Sequence, residues 1–206
     1  MKNSPTSKWI VSSFNQDCEW LQDYVKTPLI INRGETDIPN SIITENLGTD
    51  IADKMRFIIE NYDNLPDVCV FIKANLFKYI SKEEFDLVCK NATFTPLLTA
   101  NHRVYDDQQG PVCYYEDGMY HERNDYWYLL EMPTKTRNNA DEIKKIFKMD
   151  ERKYNAFAPG SNYIVPRDNI LKHPKEFYER LLELVMWSRY NGEAQLIERN
   201  LYYLWK

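Results

Sequence analysis

Leu65-Pro66-Asp67-Val68-Cys69-Val70-Phe71-Ile72-Lys73-Ala74-Asn75 contains the run that decides the fold. Val68 to Ile72 are apolar without interruption, with Pro66-Asp67 before them and Lys73 after. A strand that shows no alternation is buried on both faces, as a central strand of a parallel sheet is. Toward the N-terminus, Trp9 to Phe14 reads as a first strand that enters a polar turn at Asn15-Gln16-Asp17. Cys18, Leu21 and Val25 predict a short helix, which Pro28 breaks. Leu29-Ile30-Ile31 then forms a second strand that ends at Asn32-Arg33-Gly34. Asn46-Leu47-Gly48-Thr49-Asp50 is a helix start with Thr49 as cap, and Ile51, Met55, Ile58 and Tyr62 recur at helical spacing. Strand and helix therefore alternate across the first 75 residues, the pattern of an α/β fold with a mostly parallel, twisted sheet and flanking helices. Ligands of such sheets lie beyond the carboxyl ends of the strands. Those ends are Ser12 to Asn15, Asn32 to Gly34 and Lys73 to Asn75.

After this region the pattern loosens. Glu83 to Lys90 and Ala140 to Lys148 read as helices, and Val112 to Glu122 as a hairpin turning at Glu116-Asp117-Gly118. Residues 82–150 are thus expected to form an irregular, hairpin-containing insertion. Phe157 to Asn162 is a tight turn into a late strand, Tyr163-Ile164-Val165. A helix from Pro174 carries Phe177, Leu181, Leu184, Val185 and Ser188 and closes at Asn191-Gly192. A last helix carries Ala194, Ile197, Leu201 and Leu204. The expectation is one domain over residues 1–206, with residues 1–8 a flexible N-terminal stretch.

At 43% hydrophobic and 28% charged residues the chain has the balance of a folded domain, which argues against disorder. The net charge of −5 weighs against nucleic-acid binding by bulk electrostatics. The cysteines (Cys18, Cys69, Cys89, Cys113) make no C-x-x-C pair. The sequence has no signal-peptide pattern and no apolar window of membrane-spanning length, so the expected setting is cytoplasmic. G-x-x-x-x-G-K-[ST], G-x-G-x-x-G and G-x-S-x-G are all absent, which disfavours P-loop, dinucleotide and nucleophile-elbow chemistry.

Several blocks together carry a family resemblance. They are Trp9-Ile10-Val11 with Asn15 and Asp17, Asn46-x-Gly48-x-Asp50, and Ile59 to Asp67 with Val70-Phe71. Gly160 to Val165 follows, before Arg167 and Ile170; then come Pro174-x-x-Phe177-Tyr178, Glu198-Arg199 and Trp205. In this order they resemble an uncharacterised family with a glycosyltransferase type-A-like fold. The resemblance implies transfer of a sugar from a nucleotide-sugar donor. The acceptor it leaves open: a glycan, a small molecule, a protein or a modified DNA base. Enzymes of this fold usually hold a divalent metal with Asp-x-Asp after a central strand. Here Lys73-Ala74-Asn75 stands there, and Glu35-Thr36-Asp37 is the nearest approximation elsewhere.

Such transfer needs a nucleotide cradle, charge compensation on the departing diphosphate and a base for the acceptor hydroxyl. Ser12 and Asn15 suit the cradle, although Asn15 and Asp17 equally shape a turn. Lys73 at the end of a buried strand can neutralise diphosphate or simply be a solvated strand end. Arg33, Asn46, Asn75, Ser161 and Arg199 complete the substrate-binding candidates. Glu198 and Asp50 are the acid–base candidates. Asp50 also reads as an N-terminal helix acid, and Glu198 as one half of an ion pair with an arginine such as Arg56 or Arg180. His102 and His121 flank Asp106, Asp107 and Cys113 without a recognised metal-ligand spacing, and His173 before Pro174 reads as surface. The run Tyr114-Tyr115, Tyr120 and Tyr126-Trp127-Tyr128 reads as a stacking surface or as hairpin packing. A non-catalytic sugar- or nucleotide-binding module that has lost the metal motif fits the same features.

Overall fold

A computed structural model describes residues 5–99, 113–116 and 118–206. It forms a mixed α/β fold in which a mostly parallel sheet is flanked by helices. β1 (Ser7–Ser13), β2 (Leu29–Asn32) and β3 (Ile42–Ile43) lead into α1 (Thr49–Asn61) and β4 (Val68–Lys73). Next come α2 (Lys82–Val88), β5 (Thr95–Pro96), β6 (Cys113–Glu116), β7 (Met119–Arg123), α3 (Tyr128–Glu131) and α4 (Arg137–Ile146). β8 (Tyr154–Phe157), β9 (Tyr163–Pro166), α5 (Arg167–Ile170), α6 (Lys175–Val185), α7 (Gly192–Glu198) and α8 (Leu201–Trp205) complete the chain. The larger sheet has the order β3-β2-β1-β4-β9-β5, with β3, β2, β1 and β4 parallel and β9 antiparallel to both its neighbours. The smaller sheet, β6-β7-β8, is antiparallel throughout.

The central run behaves as its composition requires. Cys69 and Phe71 pack with α1, α6 and α8, while Val68, Val70 and Ile72 pack with α2 on the opposite face. Phe71 lies between Trp205, stacked at 5.3 Å, and Phe57, met edge-on at 6.1 Å. β1 divides its side chains in the same way, Ile10 toward α1 and Trp9 and Val11 toward α2. Its partner β4 puts Ser12 opposite Lys73, so two polar residues finish the adjoining strands together.

Several elements differ from the sequence reading. The segment after β1 is a short 3-10 helix, Glu19–Asp23. Asn191-Gly192 does not close α6: Asn191 opens α7, its Oδ1 accepting from Ala194 N (2.8 Å). The expected last helix is two, broken at Arg199-Asn200. β8 continues the expected hairpin as a third strand, and short β3 and β5 carry too few residues to show a pattern. β1 begins at Ser7, within the stretch expected to be flexible, because Ser7 and Lys8 pair with Val68 and Cys69. His173 is half-buried and stacks on Phe177 at 4.5 Å. Val112 and Asp117 of the expected hairpin lie outside the described residues. Among the described residues, no helix is long and apolar enough to cross a membrane.

Phe71 is fully buried between two aromatic rings. Phe71→Ala is expected to lower unfolding free energy by about 3–5 kcal/mol, as large-to-small changes in packed cores do. Denaturant titration reads the loss.

Candidate functional site

The first turns of α1 carry a polar stripe beside its apolar one. Asp50, Asp53, Lys54 and Phe57 fall at i, i+3, i+4 and i+7 and so share one face of the helix. That face lies over the carboxyl ends of β1, β2 and β4. Asp50, Asp53 and Lys54 are between 1% and 3% exposed. Charges this deeply buried persist only when paired.

Asp50 is the centre. Its Oδ1 lies 3.0 Å from Lys73 Nζ, and its Oδ2 accepts from Lys54 Nζ and from Ser161 Oγ. Lys54 also donates to Ser161 Oγ (3.1 Å). Burial works against the charge on Asp50, but Lys54, Lys73 and Arg33 outweigh it and hold the carboxyl well below its ordinary range. Lys73 is likewise held above the usual lysine value: burial lowers it, and Asp50, Glu198 and Tyr79 more than offset that. Burial pushes the Lys54 ammonium down, with Asp50 opposing. Beside this group, Arg33 Nε sits 3.1 Å from Asp53 Oδ2, a charge contact. Burial raises the Asp53 carboxyl, against the pull of Arg33. Arg33 Nη1 also donates to Asn46 Oδ1 (3.4 Å).

Two strained turns deliver these groups. Gly48 and Thr49 both have positive φ (69° and 56°), and so do Gly160 and Ser161 (82° and 59°). For a β-branched residue such as Thr49 that conformation is an outlier. A Cβ on Gly48 would stand 2.8 Å from Ala52 Cβ and 2.9 Å from Val185 Cγ2, so the close approach of α1 to α6 requires glycine. A Cβ on Gly160 would meet the Tyr79 ring at 2.7 Å. Left-handed non-glycine residues cost on the order of 1–3 kcal/mol each, and surrounding structure must hold them. Here the Asp50–Ser161 hydrogen bond joins the two turns directly.

The remaining candidates divide. Glu198 is near the cluster: its Oε1 accepts from Gly160 N (2.9 Å) and its Oε2 lies 3.5 Å from Arg199, not from Arg56 or Arg180. Arg180 instead pairs with Glu142 and Glu183, and Arg56 donates to Met186 Sδ. Arg199 is 2% exposed and bonded to Glu122 through Nε (2.9 Å) and Nη2 (3.2 Å), joining α7 to the small sheet. Asn15 is exposed, has φ 55°, and its Oδ1 accepts from Glu35 N (2.7 Å), so it clamps the loop after β2 onto the loop after β1. Asn75 follows β4, its Oδ1 buried without a hydrogen-bond partner among the described residues.

Lys54, Asp53 and Asn162 escaped the sequence reading. The i, i+3, i+4 spacing of Asp50, Asp53 and Lys54 was the available signal. Asn162 had none; fully buried, its Oδ1 accepts from Lys73 N (2.8 Å) and its Nδ2 is left without a partner among the described residues.

A divalent cation does not fit at the end of β4, because two ammonium groups already hold the nearest carboxylate, Asp50. Among the described residues, no three His, Cys, Asp or Glu side chains converge as a metal-binding group. His102, Asp106 and Asp107 lie outside the described residues, and His121 stacks on Tyr114 at 4.8 Å. Within the tyrosine run, Tyr120 packs edge-on against Phe157 and Tyr128 is buried beside Arg199, whereas Tyr114 is 42% exposed.

Fold and site together define a mixed α/β protein with a buried charge cluster at the carboxyl ends of its parallel strands. The chain belongs to the family described as "Protein of unknown function (DUF3431)", whose model matches residues 10–206. Neither the curated proteins nor the solved structures compared with the chain include a match.

Because Asp50 is depressed in the fold, its stabilising contribution is present at neutral pH and is lost as acid protonates the unfolded chain's carboxyl. Asp50→Asn is expected to melt well below the wild type at pH 7. The gap should narrow below about pH 4, where an unperturbed aspartate takes its proton. Thermal melts of both proteins across that range check the sign.

Proposed function

We propose that the protein is a glycosyltransferase, taking a sugar from a nucleotide-activated donor and placing it on an acceptor, with Lys73 facing the donor's diphosphate. The observation that carries this reading is the position of Lys73. It ends a fully buried parallel strand, is 24% exposed, and is oriented by Asp50 on one of its three donor directions. The remaining ammonium protons are hydrogen-bond donors suited to phosphate oxygens. The sheet order, four parallel strands followed by antiparallel β9, also supports the glycosyltransferase type-A-like resemblance.

In this reading the nucleoside diphosphate leaves as charge builds on its oxygens. A cation fixed beforehand stabilises that charge without reorganising during reaction. Lys54 and Lys73 together keep Asp50 ionised, so Asp50 organises cations and accepts no proton. Glu198, 15% exposed and anchored on one oxygen by Gly160 N–H, is the group left to take the acceptor's proton. Ser12, Arg33 and Asn46 line the neighbouring strand ends, where the nucleoside would lie.

The same anchoring favours a second reading, a binding module without turnover, since both carboxylates are already engaged. Release of nucleoside diphosphate from a panel of nucleotide sugars, assayed in chelator, separates the two. A transferase releases it, and Glu198→Gln abolishes release while leaving donor affinity intact. A module binds donor and releases nothing. In both, Lys73→Ala is expected to weaken donor binding roughly tenfold to a hundredfold, the scale of a lost charge-assisted hydrogen bond. Unchanged affinity in Lys73→Ala would remove Lys73 from the site.

A further inference from the structure

A cleft lies at the other end of the sheet. It has a volume of about 690 Å³ and is lined by the first residues of β1 and β4, including Trp9, Val68 and Val70. α2 and the segment leaving it supply Asp86, Lys90 and Asn91, and the chain before β2 supplies Asp23 and Tyr24. Ser7 to Ser12 spans about 16 Å of strand, which separates this cleft from the Lys73 cluster.

Three features make it a polar binding site and not a packing defect. First, the exposed carboxylates of Asp23 and Asp86 line the cleft together with the exposed ammonium of Lys90. Second, Trp9 is 5% exposed yet its indole N–H donates to no described group, and it is not one of the sealed, unpartnered atoms of the core. A buried tryptophan ordinarily finds a partner for that N–H. Third, the floor is rigid: Trp9 stacks with Tyr24 at 6.1 Å and meets Phe85 edge-on at 5.8 Å, and Tyr24 Oη donates to Asp86 Oδ1 (2.6 Å).

We infer that this cleft binds a saccharide ring, as a second site apart from the transfer site proposed above. A sugar presents hydroxyls that donate and accept at once, together with an apolar C–H face. Asp86 Oδ2 and Asp23 accept from vicinal hydroxyls, Trp9 Nε1–H and Lys90 donate to them, and exposed Pro5 and the half-buried Tyr24 ring meet the C–H face. An organic cation would use the two carboxylates and the rings but have no use for the donors of Trp9 and Lys90. The volume is within the range of small-molecule sites. The inference does not require the transfer reaction, and each can fail without the other.

Indole N–H resonances of the full chain, with Trp9 assigned by Trp9→Phe, report binding directly. D-glucose, D-galactose, D-mannose and N-acetylglucosamine are titrated separately to tens of millimolar, with benzylamine as the cationic probe. The expected result is a saturable shift of the Trp9 resonance with at least one sugar and none with benzylamine. Asp86→Asn keeps the acceptor for Tyr24, and it should weaken that sugar about tenfold or more, as loss of a charged hydrogen-bond partner does. Lys73→Ala should leave the sugar affinity unchanged. A flat response to all four sugars, a response to benzylamine in their place, or undiminished binding by a folded Asp86→Asn would each overturn the inference.

Discussion

The carboxylate of Asp50 is the point on which the rest of this structure turns. It accepts from or pairs with Lys54 on its own helix, Lys73 at the end of β4 and Ser161 in the turn before β9. Three separate parts of the chain therefore meet at one buried anion. Removing one member of such a group leaves an unpaired buried charge, which typically costs about 3–5 kcal/mol. Left-handed Thr49 and Ser161 lie on either side of the contact, and Gly48 lets α1 approach α6 closely enough for it to form. Backbone strain and buried charge are thus held by the same interaction.

A buried charge cluster is by itself weak evidence of stability. Replacing buried ion pairs with apolar residues of similar volume is often neutral or stabilising. Here the network ends in a cation that reaches solvent, Lys73. Groups fixed in advance are what charge stabilisation requires, because they need not reorient as charge develops. Glu198 extends the same logic: it holds Gly160, which shapes the turn that presents Ser161 to Asp50. The Arg199–Glu122 pair is different in kind, a sealed link between α7 and the small sheet.

The main sheet was legible because its signals are local. An unbroken apolar run from Val68 to Ile72 announces a strand buried on two faces, and the Ile51, Met55, Ile58 spacing announces α1. β3 and β5 have two residues each and owe their strand geometry to neighbours, so no local pattern marks them. The antiparallel direction of β9 is set by tertiary pairing with β4, which composition does not encode. At the site, the strand end singles out Lys73, and the fold brings it and the candidate Ser161 to Asp50. Lys54 does not read as a site residue because a lysine in a helix is ordinarily solvated, and only the packing of α1 over the strand ends buries this one. Asn15 was weighed equally as ligand group and turn former; its exposed, left-handed backbone and its bond to Glu35 N use it in the turn.

The most direct test of the account is a crystal structure of the full chain grown with a nucleoside diphosphate and a chelator. The account predicts the diphosphate beyond the carboxyl end of β4, with a phosphate oxygen in hydrogen-bond reach of Lys73 Nζ and Asp50 still bonded to Lys54. A diphosphate bound elsewhere, with Lys73 and Asp50 undisturbed, would contradict it and leave the cluster a structural tie.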